Sequence, residues 1–328
     1  MIRLAVVGYG SMGRKHVTSF TALGCELFIH DPALTRLEPG SPLTLVPTDR
    51  ALPDLPVDGY VLAAPNALHA HYLHLLLPTG KPILVEKPIL CDLTDPELVR
   101  DLHRAANRVL VGYNLVFRPE FEALEQILET ELGQVFHARA VCSSWLPAWR
   151  EVDYRRTYSA QKALGGGILL DASHELDYLR RLFGRAETVY CSAGRLGRLE
   201  LDVEDSADLV IDFPGPVRAN VHLDYLQPLP IRHLQLCGER AGLTWDLVGR
   251  TLTVASSTGT TPRCLDFSGH PPLTMYRREA EHFLAMITKG ASPRVDATAG
   301  LEDVALVEAA KRSAALGRPL TRQDWEHD

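Results

Sequence analysis

The sequence lacks the features of several common protein classes. None of its six cysteines forms a C-x-x-C pair, which disfavours a zinc site or a redox pair. No apolar run is long enough to span a membrane, and the run from Ile2 to Val7 is too short for the apolar part of a signal peptide. We therefore expect a protein of the reducing cytoplasm, with no metal and no membrane attachment.

An excess of basic residues is also missing. The 41 acidic residues outnumber the 34 basic ones, and the formal net charge is −7. A surface for nucleic acid needs a basic face, so we expect no nucleic-acid partner, although a local basic pocket for a small anion stays open. With 328 residues, 46% of them hydrophobic, the chain is long enough for two domains with cores of their own.

The first third of the chain alternates short apolar runs with helical patterns. Such alternation predicts right-handed β-α-β units and a parallel sheet with helices on both faces. The predicted strands are Leu4–Val7, Leu27–Ile29, Tyr60–Ala63, Ile83–Val85 and Val109–Val111, with helices over Met12–Leu23, Leu68–Leu77 and Pro96–Ala106.

The pattern changes after Gly112. Helices are predicted over Pro119–Leu132 and from Ile168 to Leu182. The segment from Val217 to Tyr225 alternates apolar and polar residues, which predicts a largely antiparallel sheet with one face packed on helices. Two further helices are predicted over Tyr276–Thr288 and Leu301–Leu316. The domain boundary is placed near residue 118, giving domains of 1–118 and 119–328, with the last helix free to pack back on the first.

The glycine motif Gly8-Tyr9-Gly10-Ser11-Met12-Gly13 follows the first strand and opens the first helix. In that position Gly8 allows a tight turn, Gly10 lets a pyrophosphate approach the backbone, and Gly13 lets the helix pack closely. Ser11 and Met12 lie at the helix start, whose free N–H groups attract phosphate. We interpret the motif as a dinucleotide site; the alternative is an ordinary glycine turn.

Asp31 follows the second strand, at about the 20-residue distance from the glycines that suits a ribose-binding acid. Its carboxylate would accept hydrogen bonds from the adenosine ribose and repel a 2′-phosphate. We therefore expect NAD rather than NADP, although Arg36 nearby leaves NADP open. The alternative is a solvated Asp that starts a turn with Pro32.

Two further motifs follow later strands of the first domain. Ala64-Pro65-Asn66-Ala67-Leu68-His69 follows the strand at Tyr60–Ala63, and Glu86-Lys87-Pro88 follows Ile83–Val85. Ligands of open α/β sheets collect at the carboxyl ends of the strands. Asn66 could instead cap a helix and Lys87 could be a surface cation, and the sequence leaves the isomer at Pro88 open. The candidate cofactor-binding residues here are Ala64, Pro65, Asn66, His69, Glu86 and Lys87.

A third group of polar residues follows Gly165-Gly166-Gly167. Asp171 and His174 are three residues apart in a predicted helix and so would share a face. A histidine beside a carboxylate suits a general acid or base. The alternatives are a surface pair, or a structural histidine bonded to Asp177.

The segment between Cys142 and Leu164 is rich in tryptophan, tyrosine and arginine. Aromatic faces stack on sugars, and arginine binds carboxylate or phosphate through two hydrogen bonds. We expect an anionic sugar to be held here; the alternative is an oligomer contact. The candidate residues are Arg150, Arg155, Arg156 and Tyr158.

These motifs together resemble the Gfo/Idh/MocA oxidoreductases. The resemblance rests on G-Y-G-S-M-G, A-P-N-A-L-H, E-K-P, G-Y-N and G-G-G-I-L-L-D-A-S-H, and it covers nearly the whole chain. It implies an N-terminal Rossmann domain with a doubly wound parallel sheet. It also implies a C-terminal α/β domain whose large, mostly antiparallel open sheet pairs copies into homodimers or homotetramers.

The resemblance also implies a function, the transfer of hydride between NAD(P) and a hydroxyl or ketone of a sugar, amino sugar or nucleotide sugar. Lys87, Asp171 and His174 are the implied catalytic residues, and Tyr113 and Asn114 the implied substrate contacts. Only Ala172 and Ser173 separate Asp171 from His174, whereas many members have three residues there. His174 and Asp177 keep the family's usual His-to-Asp spacing, so His174 is the closer match of the two catalytic candidates.

Val116 stands where relatives often have an arginine, so the substrate contact made there differs. Two other functions stay open from the sequence. One is a hydrolase or lyase that retains NAD and oxidises its sugar transiently. The other is a non-catalytic NAD(P)-binding regulator.

Overall fold

The computed structural model describes residues 1–38, 40–259, 261–271 and 273–326, and the chain divides into two compact units. The first unit comprises Met1–Phe117 and Leu273–Val304, and the second comprises Arg118–Pro272 and Ala305–Asp328. The chain first changes unit at residue 118, where the sequence pattern also changes. It then returns to the first unit for residues 273–304, which the order of patterns along the chain does not indicate.

The first unit is built on a six-stranded sheet in which every neighbouring pair is parallel. The strand order is β3-β2-β1-β4-β5-β6, the doubly wound arrangement that the sequence predicted. The inner strands β1, β4 and β5 are almost continuously buried, as expected when helices cover both faces. The bounds are β1 Arg3–Val7, β2 Glu26–His30, β3 Thr44–Leu45, β4 Gly59–Leu62, β5 Ile83–Glu86 and β6 Val109–Gly112.

The second unit is built on a nine-stranded mixed sheet in the order β14-β13-β12-β11-β7-β10-β9-β8-β15. Neighbouring strands in this sheet are antiparallel, except for β7 and β10, which are parallel. The bounds are β7 Val135–Ser143, β8 Thr188–Gly194, β9 Ser206–Asp212, β10 Arg218–Asp224, β11 Ile231–Gly238, β12 Ala241–Asp246, β13 Thr251–Ser256, β14 Arg263–Asp266 and β15 Leu320–Thr321.

One face of this sheet is apolar and the other is polar, as the alternation predicted. Along β10, Ala219, Val221 and Leu223 are wholly or almost wholly buried. His222, on the opposite face, keeps about 40% of its side chain exposed. The mostly antiparallel architecture of the second unit is therefore confirmed.

One helix of the first unit begins with a side-chain cap. Asp95 precedes the helix that starts at Pro96, and its carboxylate accepts a hydrogen bond from the Leu98 N–H at 3.0 Å. The bounds are α1 Ser11–Ala22, α2 His69–Leu76, α3 Pro96–Arg104, α4 Pro119–Ile127, α5 Ile168–Asp171, α6 His174–Phe183, α7 Thr274–Lys289, α8 Ala297–Leu316 and α9 Arg322–Trp325.

The predicted helix from Ile168 to Leu182 is interrupted. α5 ends at Asp171 and α6 begins at His174, with Ala172 and Ser173 between them. The Ser173 carbonyl accepts hydrogen bonds from Leu176 and Asp177, so Ser173 is the N-cap of a new helix. The prediction that Asp171 and His174 share one helical face was therefore wrong.

All six cysteines are free thiols. Among the described residues, no helix combines the length and apolar character needed to cross a membrane. In the same part of the chain, no group of three or more His, Cys, Asp or Glu side chains is placed to hold a metal ion.

Candidate active site

The glycine loop in the first unit has the geometry of a phosphate-binding turn. Gly8 has φ of +93°, and a Cβ there would lie 2.5 Å from the Ala63 carbonyl oxygen. A Cβ on Gly13 would overlap the Gly8 carbonyl, so the start of α1 packs directly on the loop. A Cβ on Gly10, by contrast, would meet nothing within 4 Å. The loop is therefore closely packed at Gly8 and Gly13 and open at Gly10, which fits a dinucleotide pyrophosphate.

Asp31 is anchored to this loop. One carboxylate oxygen accepts a hydrogen bond from the Tyr9 N–H at 2.7 Å, and the other accepts one from the Ala33 N–H at 2.9 Å. An ionised carboxylate has about four acceptor positions, so both oxygens can still accept hydroxyl protons. Asp31 is thus held beside the glycine loop with acceptor capacity for a ribose.

His69 connects the loops that follow β4 and β5. Its side chain is wholly buried, with Nδ1 2.9 Å from the Pro88 carbonyl and Nε2 3.0 Å from the Ala64 carbonyl. Burial lowers the His69 pKa, and the two carbonyls oppose this effect. A residue so enclosed connects the two loops, and a direct contact of His69 with the cofactor stays a prediction.

The other candidate cofactor-binding residues on these two loops differ in how far they are buried. Asn66 is buried at the start of the segment leading into α2, beside the partly exposed Ala64–Pro65 turn. Lys87 is half-buried, and the Lys87–Pro88 peptide bond is cis, the isomer that the sequence left open. Lys87 therefore directly follows β5 at the carboxyl end of the sheet.

Glu86 belongs to a buried acidic cluster that the sequence did not predict. It is almost fully buried, and its Oε1 lies 2.7 Å from Nε2 of His16 on α1. Glu279 on α7 is wholly buried, and neither of its carboxyl oxygens has a hydrogen-bond partner among the described residues. Burial, and then the charge of Glu86, raise the Glu279 pKa well above its ordinary value. The Glu86 carboxylate thus interacts with His16 and Glu279, and a direct contact of Glu86 with the cofactor stays a prediction.

No sequence motif marks Glu279 as a buried acid. It lies in a stretch of alternating charged and apolar residues that is typical of an exposed helix face. The side chain of Tyr113 is wholly buried, and its contact with a substrate stays a prediction. Asn114, the next residue, is also buried, with 6% of its surface exposed.

In the second unit, Asp171 lies at the centre of a hydrogen-bonded group of tyrosines. The Tyr225 hydroxyl donates to Asp171 Oδ2 at 2.6 Å. The Tyr158 hydroxyl lies beside the same carboxylate, and burial followed by the charge of Asp171 raises the Tyr158 pKa well above its usual range. Arg150 Nη2 donates to the Tyr158 hydroxyl at 3.2 Å. The structure therefore brings together Arg150, Tyr158 and Asp171, and it adds Tyr225, which the sequence did not single out.

The three successive glycines make this grouping sterically feasible. A Cβ on Gly166 would overlap the Tyr158 carbonyl, and a Cβ on Gly167, which has φ of +110°, would overlap the Glu204 carboxylate. The Gly167 N–H also donates to the Ser159 carbonyl at 3.2 Å. The glycines thus let the backbone around Tyr158 pack against the start of α5, next to Asp171.

His174 is half-buried at the first position of α6. Its neighbour Glu175 is wholly buried and forms a two-point ion pair with Arg232, at 2.8 and 3.1 Å. Asp177, the alternative partner considered for His174, accepts a hydrogen bond from Arg180 at 2.7 Å. Two acids in the first turn of α6, directly after His174, are thus held by ion pairs.

The three arginines of the aromatic segment differ in their surroundings. Arg155 is half-exposed and binds Asp153 through two nitrogens, at 3.0 and 2.8 Å, and Glu200 through a third, at 3.2 Å. Arg156 is exposed. Only Arg150 adjoins the Asp171 group, so the structure favours Arg150 over Arg155 as the residue for a ligand.

Comparisons with known proteins agree with these observations. The family model described as "Oxidoreductase family, NAD-binding Rossmann fold" matches residues 2–113, and the "GFO/IDH/MocA C-terminal domain" model matches residues 121–244. An inositol 2-dehydrogenase of Rhodococcus jostii is 32% identical over 152 residues, which are 43% of this chain and 41% of that protein.

A second inositol 2-dehydrogenase, from Rhizobium meliloti, is 26% identical over 81% of each chain. A crystal structure of an NAD binding oxidoreductase from Klebsiella pneumoniae superposes with a TM-score of 0.86, at 17% identity and over 98% of each chain. At that identity the likeness shows the fold alone.

Proposed function

Because the chain belongs to the Gfo/Idh/MocA oxidoreductases, we propose that it transfers hydride between NAD(H) and a hydroxyl or ketone of a sugar, amino sugar or nucleotide sugar. The observation that carries this proposal is the glycine loop, open at Gly10, with Asp31 anchored beside it. The inositol dehydrogenases among the relatives support a polyhydroxylated substrate.

We assign the catalytic steps to Lys87 and His174. When bound, NAD⁺ supplies the nicotinamide C4 that accepts the hydride. His174 would accept the proton of the substrate hydroxyl as general base, and Lys87 would assist this proton transfer, as the family resemblance implies. In the reverse direction His174 returns that proton to the ketone oxygen. Asp171 contributes negative charge near the histidine, with its orientation held by Tyr225.

The test is hydride transfer itself. NADH absorbance is followed while the purified protein is mixed with NAD⁺ and a panel of polyols, sugars, sugar acids and nucleotide sugars, and with NADH and the corresponding ketones. We expect net NADH formation or consumption with at least one class. Product formed without net NADH would replace the proposal with a hydrolase or lyase that retains its cofactor. Cofactor binding without any reaction would replace it with a regulator.

We expect NAD(H) to bind more tightly than NADP(H). The Asp31 carboxylate is fixed beside the glycine loop, where it would repel a 2′-phosphate. Asp31→Ala removes that charge and should narrow the difference between the two dissociation constants, measured by fluorescence titration. Asp54→Ala, in a loop of the same unit, is the control and should leave the ratio unchanged. Equal or tighter NADP(H) binding by the unaltered protein would rule out this role for Asp31.

We further propose that copies of the chain associate through the polar face of the nine-stranded sheet, as a homodimer or homotetramer. Tyr190, Asp208 and His222 lie together on this face, where Nδ1 and Nε2 of His222 lie 2.7 and 2.9 Å from carboxylate oxygens of Asp208 and Asp224. Light scattering coupled to gel filtration measures the assembly, and Tyr190→Glu should dissociate it. The cytoplasmic location stays a prediction from the sequence.

A further inference from the structure

Arg150 is held in place by Tyr158, yet most of its hydrogen-bonding capacity is unused. Its guanidinium carbon lies 4.9 Å from the centroid of the Tyr158 ring, and its Nη2 donates to the Tyr158 hydroxyl. This is the one hydrogen bond that Arg150 makes among the described residues. A guanidinium has five N–H donors, so four are available to a ligand.

Four other arginines of the second unit are already paired with acids. Arg155 is bound by Asp153 and Glu200, and Arg232 by Glu175. Arg118 donates to Glu120 and Arg180 to Asp177, at 2.8 and 2.7 Å. Arg150 differs because a neutral phenol, rather than a carboxylate, fixes it.

Tyr158 also separates this cation from the nearest acid of the group. The phenol lies next to Asp171 on one side and accepts from Arg150 on the other. The Asp171 carboxylate also accepts a hydrogen bond from the Tyr225 hydroxyl, at 2.6 Å. The charge of Arg150 is therefore held beside the proposed reaction centre without being neutralised by direct contact, in a chain whose net charge is −7.

We propose that Arg150 binds an oxyanion of the substrate, so that the sugar which this protein oxidises or reduces carries a carboxylate or a phosphate. This inference rests on the proposed function and makes its substrate more specific. The planar guanidinium can form two parallel hydrogen bonds to such a group, and stacking on Tyr158 fixes the plane in advance. Arg150 is then the residue that distinguishes an acidic sugar from its neutral counterpart.

The test compares neutral and anionic forms of one sugar. Turnover of a hexose, the corresponding hexuronate and the hexose 6-phosphate is measured with NAD⁺ for the unaltered protein, Arg150→Met, Arg150→Lys and the control Arg198→Met. Arg198 is exposed and lies outside the site. We expect Arg150→Met to lower kcat/KM for the preferred anionic form by roughly 10- to 100-fold, mainly through KM, and to leave the neutral form unchanged. Arg150→Lys should be intermediate, and Arg198→Met unchanged.

The two anionic sugars separate the sources of the oxyanion. A loss confined to the hexuronate assigns a carboxylate, and a loss confined to the 6-phosphate assigns a phosphate. Equal losses for the neutral and anionic forms, or no loss, would overturn the inference and leave the proposed function standing. If no sugar is turned over, the proposed function fails, and calorimetric binding of both anions to the NAD-loaded protein decides the subsite. Binding that Arg150→Met weakens supports it, and binding that is absent or unaffected rejects it.

Discussion

His174→Asn and Lys87→Met are each expected to keep NAD(H) affinity and to lose turnover. Removing the group that transfers the proton should lower the rate by roughly 10²- to 10⁴-fold. Asparagine preserves the polarity of the half-buried position at the start of α6 but cannot accept a proton near neutral pH. Stopped-flow hydride transfer and fluorescence titration with NADH measure the two properties separately.

Matched substitutions at exposed positions control for non-specific effects. His103→Asn on α3 and Lys289→Met at the end of α7 should turn over like the unaltered protein. Asp171→Asn should cost less than His174→Asn, because Asp171 lies on a separate short helix and its carboxylate is held by Tyr225. Normal turnover in either catalytic variant removes that residue from the mechanism, whatever the control variants do.

The features that sequence predicted well are those with a local physical signature. Five of the six strands of the first unit are short apolar runs, and they were placed to within one residue at each end. The two-residue strand β3 at Thr44–Leu45 has no such run and was not predicted. The glycine motif could be interpreted because each of its glycines meets a known steric requirement. Asp31 follows from its distance to that motif. Its anchoring to the Tyr9 N–H could not be derived in this way, because it depends on the fold of the loop.

The features that sequence missed depend on contacts between distant segments. Ser173 looks like an ordinary helical residue, but it starts a new helix. Arg155 and Arg150 look alike in sequence. Arg155 forms an ion pair with the distant Glu200, whereas Arg150 has Tyr158 as its one hydrogen-bond partner among the described residues. Tyr225 directly follows β10 and is 54 residues from Asp171 in sequence, yet its hydroxyl donates a hydrogen bond to the Asp171 carboxylate. Such partners could be assigned only once the second unit was folded.

The buried cluster of His16, Glu86 and Glu279 makes stability depend on pH in a defined direction. Burial and the Glu86 charge raise the pKa of Glu279 well above its ordinary 4.5, so the folded protein keeps this carboxyl protonated at pH values where the unfolded chain has lost the proton. The stabilisation of the folded state that comes from the protonated Glu279 is therefore fully present below pH 4.5. It is lost as pH rises towards the raised pKa of the folded protein. Because one proton is involved, the free energy of unfolding falls by at most about 1.4 kcal/mol per pH unit.

Glu279→Gln should remove this dependence. Glutamine has the shape of the protonated acid and cannot ionise, so we expect the variant to become more stable than the unaltered protein as pH rises from 5 to 8. The quantity to measure is the difference between their urea midpoints at each pH, followed by circular dichroism of the full chain. Glu281→Gln is the control, because Glu281 lies on the same helix but is exposed and paired with Arg277. If the midpoint difference for Glu279→Gln stays constant across this range, Glu279 is not a protonated acid in the folded protein.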